Sequence, residues 1–173
     1  KGVVEGKQTR RAFPAHPTKP ITAWGLIGAG IRAYDYMDGV QNKYGVKAVI
    51  LEVDGEEVFR STVDRFAYEE NRYINSWTHG QYMKSFIEPG NHLRMLQASN
   101  GNRGLVDINE EHPYRFVYTL RDALGNISKV RFTVQGQKTI IAPVEHREKY
   151  ALKWDKVNYL QEPGLELVIP KGM

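Results

Sequence analysis

The chain has 173 residues, of which 41% are hydrophobic and 25% charged, a composition that suits a folded globular protein and excludes a disordered chain. Lys and Arg number 24 against 20 Asp and Glu, and because the two signs are interspersed the net charge of +4 reads as a solvated surface, with no nucleic acid expected as a partner. No apolar run approaches the roughly 20 residues of a spanning helix, so no transmembrane segment is expected, and the absence of cysteine excludes disulfide staples and thiolate metal sites.

The chain opens at Lys1 and stops at Met173 just after the strand-like LELVIP, which reads as a piece of a longer protein whose targeting signal is missing. Residues 1–20, with Pro14, Pro17 and Pro20, have the stiff, extended character of an arm or linker. Ile21 to Ala33 is small and apolar with three glycines and is expected as a strand, and Asp38, Gly39, Tyr44 and Gly45 mark a loop after it. Val46 to Val53 and Val58 to Val63 flank Asp54-Gly55 and predict a hairpin.

Asp64 to about Trp77 carries the one helical period, with Phe66, Tyr73, Ile74 and Trp77 near one face, and is expected as a crossover between sheets. Pro89-Gly90-Asn91 makes a turn, His92 to Leu96 a short strand, Asn100 to Gly104 a loop, and Leu105 to Ile108 another strand. The clearest pattern is Tyr114 to Gly136. Tyr114, Phe116, Tyr118 and Leu120 alternate with Arg115, Thr119 and Arg121. Val130, Phe132 and Val134 alternate with Lys129, Arg131 and Thr133 after a turn at Asp122, Gly125 and Asn126. That period of two excludes helix and predicts a sandwich-closing hairpin. After Gly136, strand character restarts at Thr139 to Ala142, passes a charged stretch through Lys149, and returns at Leu165 to Ile169.

Catalytic constellations are scarce. LIGAGIRA matches the relaxed dinucleotide pattern G-x-G-x-x-A through Gly28, Gly30 and Ala33, and Glu52 and Asp54 fall where a ribose-binding acid would sit. A βαβ unit needs a crossover helix after the glycines, and Tyr34 to Gly45 has no helical pattern, so this dinucleotide-binding enzyme is a remote alternative. The five histidines, His16, His79, His92, His112 and His146, have no ligand spacing. Asp35, Asp38, Asp107, Glu110 and Glu111 lack the oxygen spacing of a calcium loop. No nucleophile elbow occurs. The aromatics Tyr34, Tyr36, Tyr44, Tyr68, Tyr73 and Trp77 could form a platform for sugar or peptide, although packing is the ordinary use of such residues in a β-rich protein.

Several segments, YDYMDG, the YGVK turn, LEVDGEEVF, RYINS, IEPGN and the DALGN hairpin, stand in an order that resembles a known family over about Ile21 to Gly136. The family is that of lysostaphin or LytM-like zinc metallopeptidases of the Gram-negative cell envelope, and the resemblance is to the non-catalytic β-rich region after the peptidase domain. The closing ELVIPKG resembles the start of that family's last β-rich domain. Such peptidases hold zinc through H-x-x-x-D and H-x-H, and neither motif occurs here: Pro20, Met83, Leu96, Phe116 and Tyr150 stand four residues after the histidines. Between Ser76 and Ser85 the chain is also shorter than the family pattern.

These readings give a mainly β protein: an immunoglobulin-like β-sandwich over 21–137 with a short helical crossover, preceded by the arm 1–20 and followed by part of a second β domain over 138–173. The resemblance implies a non-catalytic accessory domain in the cell envelope, periplasmic or secreted, that positions its own peptidase domain or binds peptidoglycan or an envelope protein. No cofactor is expected in this chain, zinc belonging to the peptidase domain, and no catalytic or metal residue carries over. The alternative is a purely structural spacer or intramolecular docking domain. Tyr44, Trp77, His79 and Tyr82 are the candidate contact residues.

Overall fold

The computed structural model describes residues 2–39, 41–142 and 152–172; His146 and the charged stretch through Lys149 lie outside them. β1 (Val3–Val4) runs antiparallel to β2 (Ile21–Ile27), with Val3 opposite Trp24. The segment expected as an arm therefore adds an edge strand, and it stays short because Glu5 and Gly6 turn the chain away with positive φ of 49° and 70°. The strand expected over Ile21 to Ala33 is divided: β2 ends at Ile27, and β3 (Gly30–Ile31) pairs elsewhere. The break falls at Gly28, where any side chain would run into the ring of Phe86.

β4 (Asp35–Tyr36) and β5 (Lys43–Tyr44) form a small hairpin in the stretch read as loop. β6 (Ala48–Val53) and β7 (Glu56–Thr62) are joined by Asp54 and Gly55, whose φ of 53° and 90° are those of the hairpin turn that Asp-Gly favours. A 3₁₀ turn at Tyr68–Glu70 leads into α1 (Asn71–Trp77), a shorter helix than the 3.6-residue period suggested. Ala67 is extended, and its N–H donates to the Glu70 carboxylate at 2.7 Å. That cap starts the helical segment after Ala67 and leaves Asp64 to Phe66 outside it.

Then follow β8 (Thr78–His79), β9 (Tyr82–Lys84), β10 (Leu96–Ala98), β11 (Val106–Ile108), β12 (Pro113–Arg121) and β13 (Ile127–Gly136). β12 and β13 are the predicted hairpin, and their register places Phe116 opposite Phe132 and Tyr118 opposite Val130. The Asp122 carboxylate closes its turn by accepting the N–H groups of Leu124 (2.9 Å) and Asn126 (2.8 Å). The side-chain hydrogen bond from Asn126 is the largest cause holding Asp122 below its ordinary pKa.

The main sheet has eight strands in the order β1-β2-β13-β12-β6-β7-β10, with β11 also on β2. Its pairings are antiparallel except one: β2 runs parallel to β13, with Ile21 beside Val134 and Ala23 beside Gly136. One face carries Val49, Leu51, Phe59, Phe116, Tyr118 and Val134 into a continuous buried core that also takes in Trp77, Met95 and Ile108. Strands hold 43% of the described residues and helix 6%, so the protein is mainly β, with a curled sheet and a short α-helix.

The chain divides into two compact units, Lys1–Ile141 and Ala142–Met173. In the second, β14 (Asn158–Glu162) and β15 (Leu165–Ile169) form a hairpin turned at Gly164, whose φ is 80°. The strand at Leu165 to Ile169 is as expected, whereas Thr139 to Ala142 forms none.

Candidate functional site

The four residues singled out by sequence fall in three settings. Tyr44 lies on β5 opposite Asp35 and is 40% exposed. His79 and Tyr82 face each other across the tight turn between β8 and β9, both open to solvent. Trp77 is different: it is 5% exposed, belongs to the core, and its indole N–H donates to the Lys84 carbonyl at 3.0 Å.

Around that indole the crossover is tied to itself. Lys84 Nζ donates to the Ser76 carbonyl at 2.9 Å and to Glu88 Oε1 at 2.8 Å, and Asn91 Nδ2 donates to Ser76 Oγ at 2.7 Å and to the Tyr73 carbonyl. These bonds explain why Trp77 is a packing residue. Its ring belongs to the buried core, and the polar groups nearby are satisfied within the crossover. Exposed aromatic surface on this crossover is offered by Phe66, Tyr68 and Tyr82, with His79 beside the last of them.

The sequence also read Arg121 and Lys129 as ordinary solvated positions, and here the structure adds something. The face of the main sheet away from the core forms a shallow trough whose floor is Ile50 and Thr119, each about 5–6% exposed. In β-sheet register, Arg60, Ile50, Thr119 and Lys129 stand side by side across four strands, with Arg121 in the neighbouring row opposite Ala48 and Ile127. The long stems of Arg60, Arg121 and Lys129 cover the floor while their charged ends reach water.

Charge is unevenly spread over this trough. At the β7 side Arg60 is held by Glu57: Nε donates to Oε1 at 3.0 Å, and a second guanidinium nitrogen bonds the other carboxylate oxygen. The hydrogen bond that Arg60 donates to Glu57 is the main cause raising the Arg60 pKa above its ordinary value. At the β12–β13 side the outward positions are Arg115, Val117, Thr119 and Arg121 on one strand and Ile127, Lys129, Arg131 and Thr133 on the other, with no acid among them. Arg115 lies 3.8 Å from Asp54, but no ion-pair partner is found for Arg121, Lys129 or Arg131 among the described residues. The surface therefore presents unpaired basic side chains beside a floor of mixed character, Ile50 with Thr119.

Gly28 and Gly30 do not open a helix. Gly30–Ile31 is β3, paired with β9, so the element on which a dinucleotide pyrophosphate rests is missing at this place. No group of three or more His, Asp or Glu stands together to hold a metal ion among the described residues, and none of their helices is long and apolar enough to cross a membrane. No family model matches the chain, and neither a curated protein nor a solved structure gives a match.

Proposed function

We propose that this chain is a non-catalytic accessory module of a cell-envelope zinc metallopeptidase, with an immunoglobulin-like first unit that holds the enzyme against peptidoglycan. The observation that carries this reading is the open trough on the outward sheet face: Glu52 and Glu57 line its β6–β7 side, and on its β12–β13 side Arg121, Lys129 and Arg131 have no ion-pair partner among the described residues. Peptidoglycan stem peptides are extended and bear free carboxylates, and such a ligand can lie across a shallow floor of Ile50 and Thr119 while basic side chains meet its charges. The family resemblance of the Ile21 to Gly136 segments supplies the context: zinc and catalysis in a peptidase domain, and a periplasmic or secreted location.

Sedimentation with purified insoluble peptidoglycan tests the proposal. The chain should be pelleted at moderate salt, released as salt is raised, and left in the supernatant when Arg121→Glu and Lys129→Glu are combined. A wild-type chain that stays in the supernatant removes the wall-binding role.

A second reading, a spacer or a docking surface for the peptidase domain, is favoured by the crossover. Trp77, Lys84 and Asn91 are all engaged within it, as befits an element built for rigidity. Under that reading the purified peptidase domain, rather than the wall, would retain the chain.

A further inference from the structure

β13 is flanked by β12 along its full length but by β2 only from Val134 to Gly136. From Ile127 to Thr133 no strand among the described residues lies on its other side. The reason is written in the chain before β2. Because β2 runs parallel to β13 from Ile21 beside Val134, residues preceding Ile21 would be the ones to continue the ladder along Thr133 and beyond. Pro14, Pro17 and Pro20 interrupt that segment, and a residue without an N–H cannot extend a ladder.

The direction of the open main-chain groups can be deduced. The Gly136 N–H donates to the His112 carbonyl, so Gly136 turns its main-chain groups toward β12. Two-residue alternation then does the same for Val134, Phe132, Val130 and Ser128. Pro113, which has no N–H, stands opposite Gln135 at one of the positions that do not bond across the pair, in agreement with this phase. Ile127, Lys129, Arg131 and Thr133 consequently turn their N–H and C=O groups to the free edge, and their side chains lie on the outward basic face. On the core-facing side of the same edge, Val130 and Phe132 are only half buried, with Phe132 stacked on Phe116 (5.2 Å) and Tyr118 (6.3 Å).

We propose that this edge of β13 is a strand-addition site for an extended peptide that alternates acidic and apolar residues. Acidic residues opposite Lys129 and Arg131 would meet the unpaired basic face, and apolar residues between them would cover Val130 and Phe132. A second copy of this chain is the poorer occupant, because antiparallel pairing of two β13 edges brings Lys129 and Arg131 against their own kind. The site does not depend on the peptidoglycan reading, since it takes a peptide backbone by main-chain hydrogen bonds.

The test uses the full chain and two labelled peptides, one alternating Glu with Val and one alternating Lys with Val, followed by fluorescence anisotropy. The Glu peptide should bind, and the Lys peptide should bind on the order of ten-fold more weakly, as two reversed cross-strand charge pairs imply. Arg131→Pro removes an edge-facing N–H without touching a bond to β12, and it should abolish binding while circular dichroism stays unchanged. Should that variant unfold, Lys129→Glu combined with Arg131→Glu provides the second arm, in which preference should invert toward the Lys peptide. Absence of binding to the Glu peptide, or binding indifferent to both variants, overturns the proposal. Concentration-dependent dimerisation of the wild type that Arg131→Pro abolishes also overturns it, by assigning the edge to a second copy.

Discussion

Ser85 and Tyr118 hold a polar contact inside an apolar core. Their hydroxyls lie 2.8 Å apart, and both residues are almost wholly buried. With Ser85→Ala the Tyr118 hydroxyl loses its partner and keeps its burial, so urea denaturation should register a loss of about 1–3 kcal/mol. Burial is the largest cause pushing the Tyr118 pKa above its ordinary 10.0, and the hydrogen bond with Ser85 opposes it in part. A phenol whose folded pKa is raised contributes stability that is fully present below the unfolded value and is lost as pH rises above it. Stability should therefore fall from about pH 10 upward, and Tyr118→Phe should flatten that alkaline limb in pH-dependent melts.

Among the elements, the hairpins were the most legible in sequence, because their determinants are local. Alternation from Tyr114 to Leu120 and from Val130 to Val134 names the buried face directly, and Asp54-Gly55 selects its turn from two residues. What lay beyond reading depends on partners far along the chain. Ile21 to Ala33 is mostly small and apolar, so nothing local marks the break at Gly28, where Phe86 leaves no room for a side chain. Trp77 was an attractive contact residue because an aromatic on a crossover looks the same whether it faces solvent or core, and only the Lys84 carbonyl decides. Arg121 and Lys129 could be assigned to the outward face from alternation alone, but their neighbours across β6 and β7 could not. Gly136 shows the same long-range dependence: a side chain there would collide with the main-chain carbonyl of Glu110, which has no freedom to rotate away. Gly136→Ala should therefore strain the junction where β13 meets β2 and cost about 1–3 kcal/mol, measurable as a lower urea midpoint with faster amide exchange at Gln135 and Gln137.

For the whole molecule, the two units differ in what they can do alone. The first has a continuous core and an eight-stranded sheet, so a chain ended at Ile141 should fold by itself and unfold in one cooperative step in urea. Among its described residues the second offers a two-stranded hairpin with Tyr159, Leu165, Leu167 and Val168 exposed, and a two-stranded hairpin is marginal in water on its own. Residues 142–173 alone should accordingly give no cooperative transition by circular dichroism. The parallel pairing of β2 with β13 carries a consequence in time as well as in space. Ile21 finds its neighbour Val134 only after nearly the whole first unit has been made, so the chain emerging from a ribosome must keep an apolar strand waiting. Folding should be slow for a protein of this size, and the waiting interval is when β2 is most exposed to wrong partners.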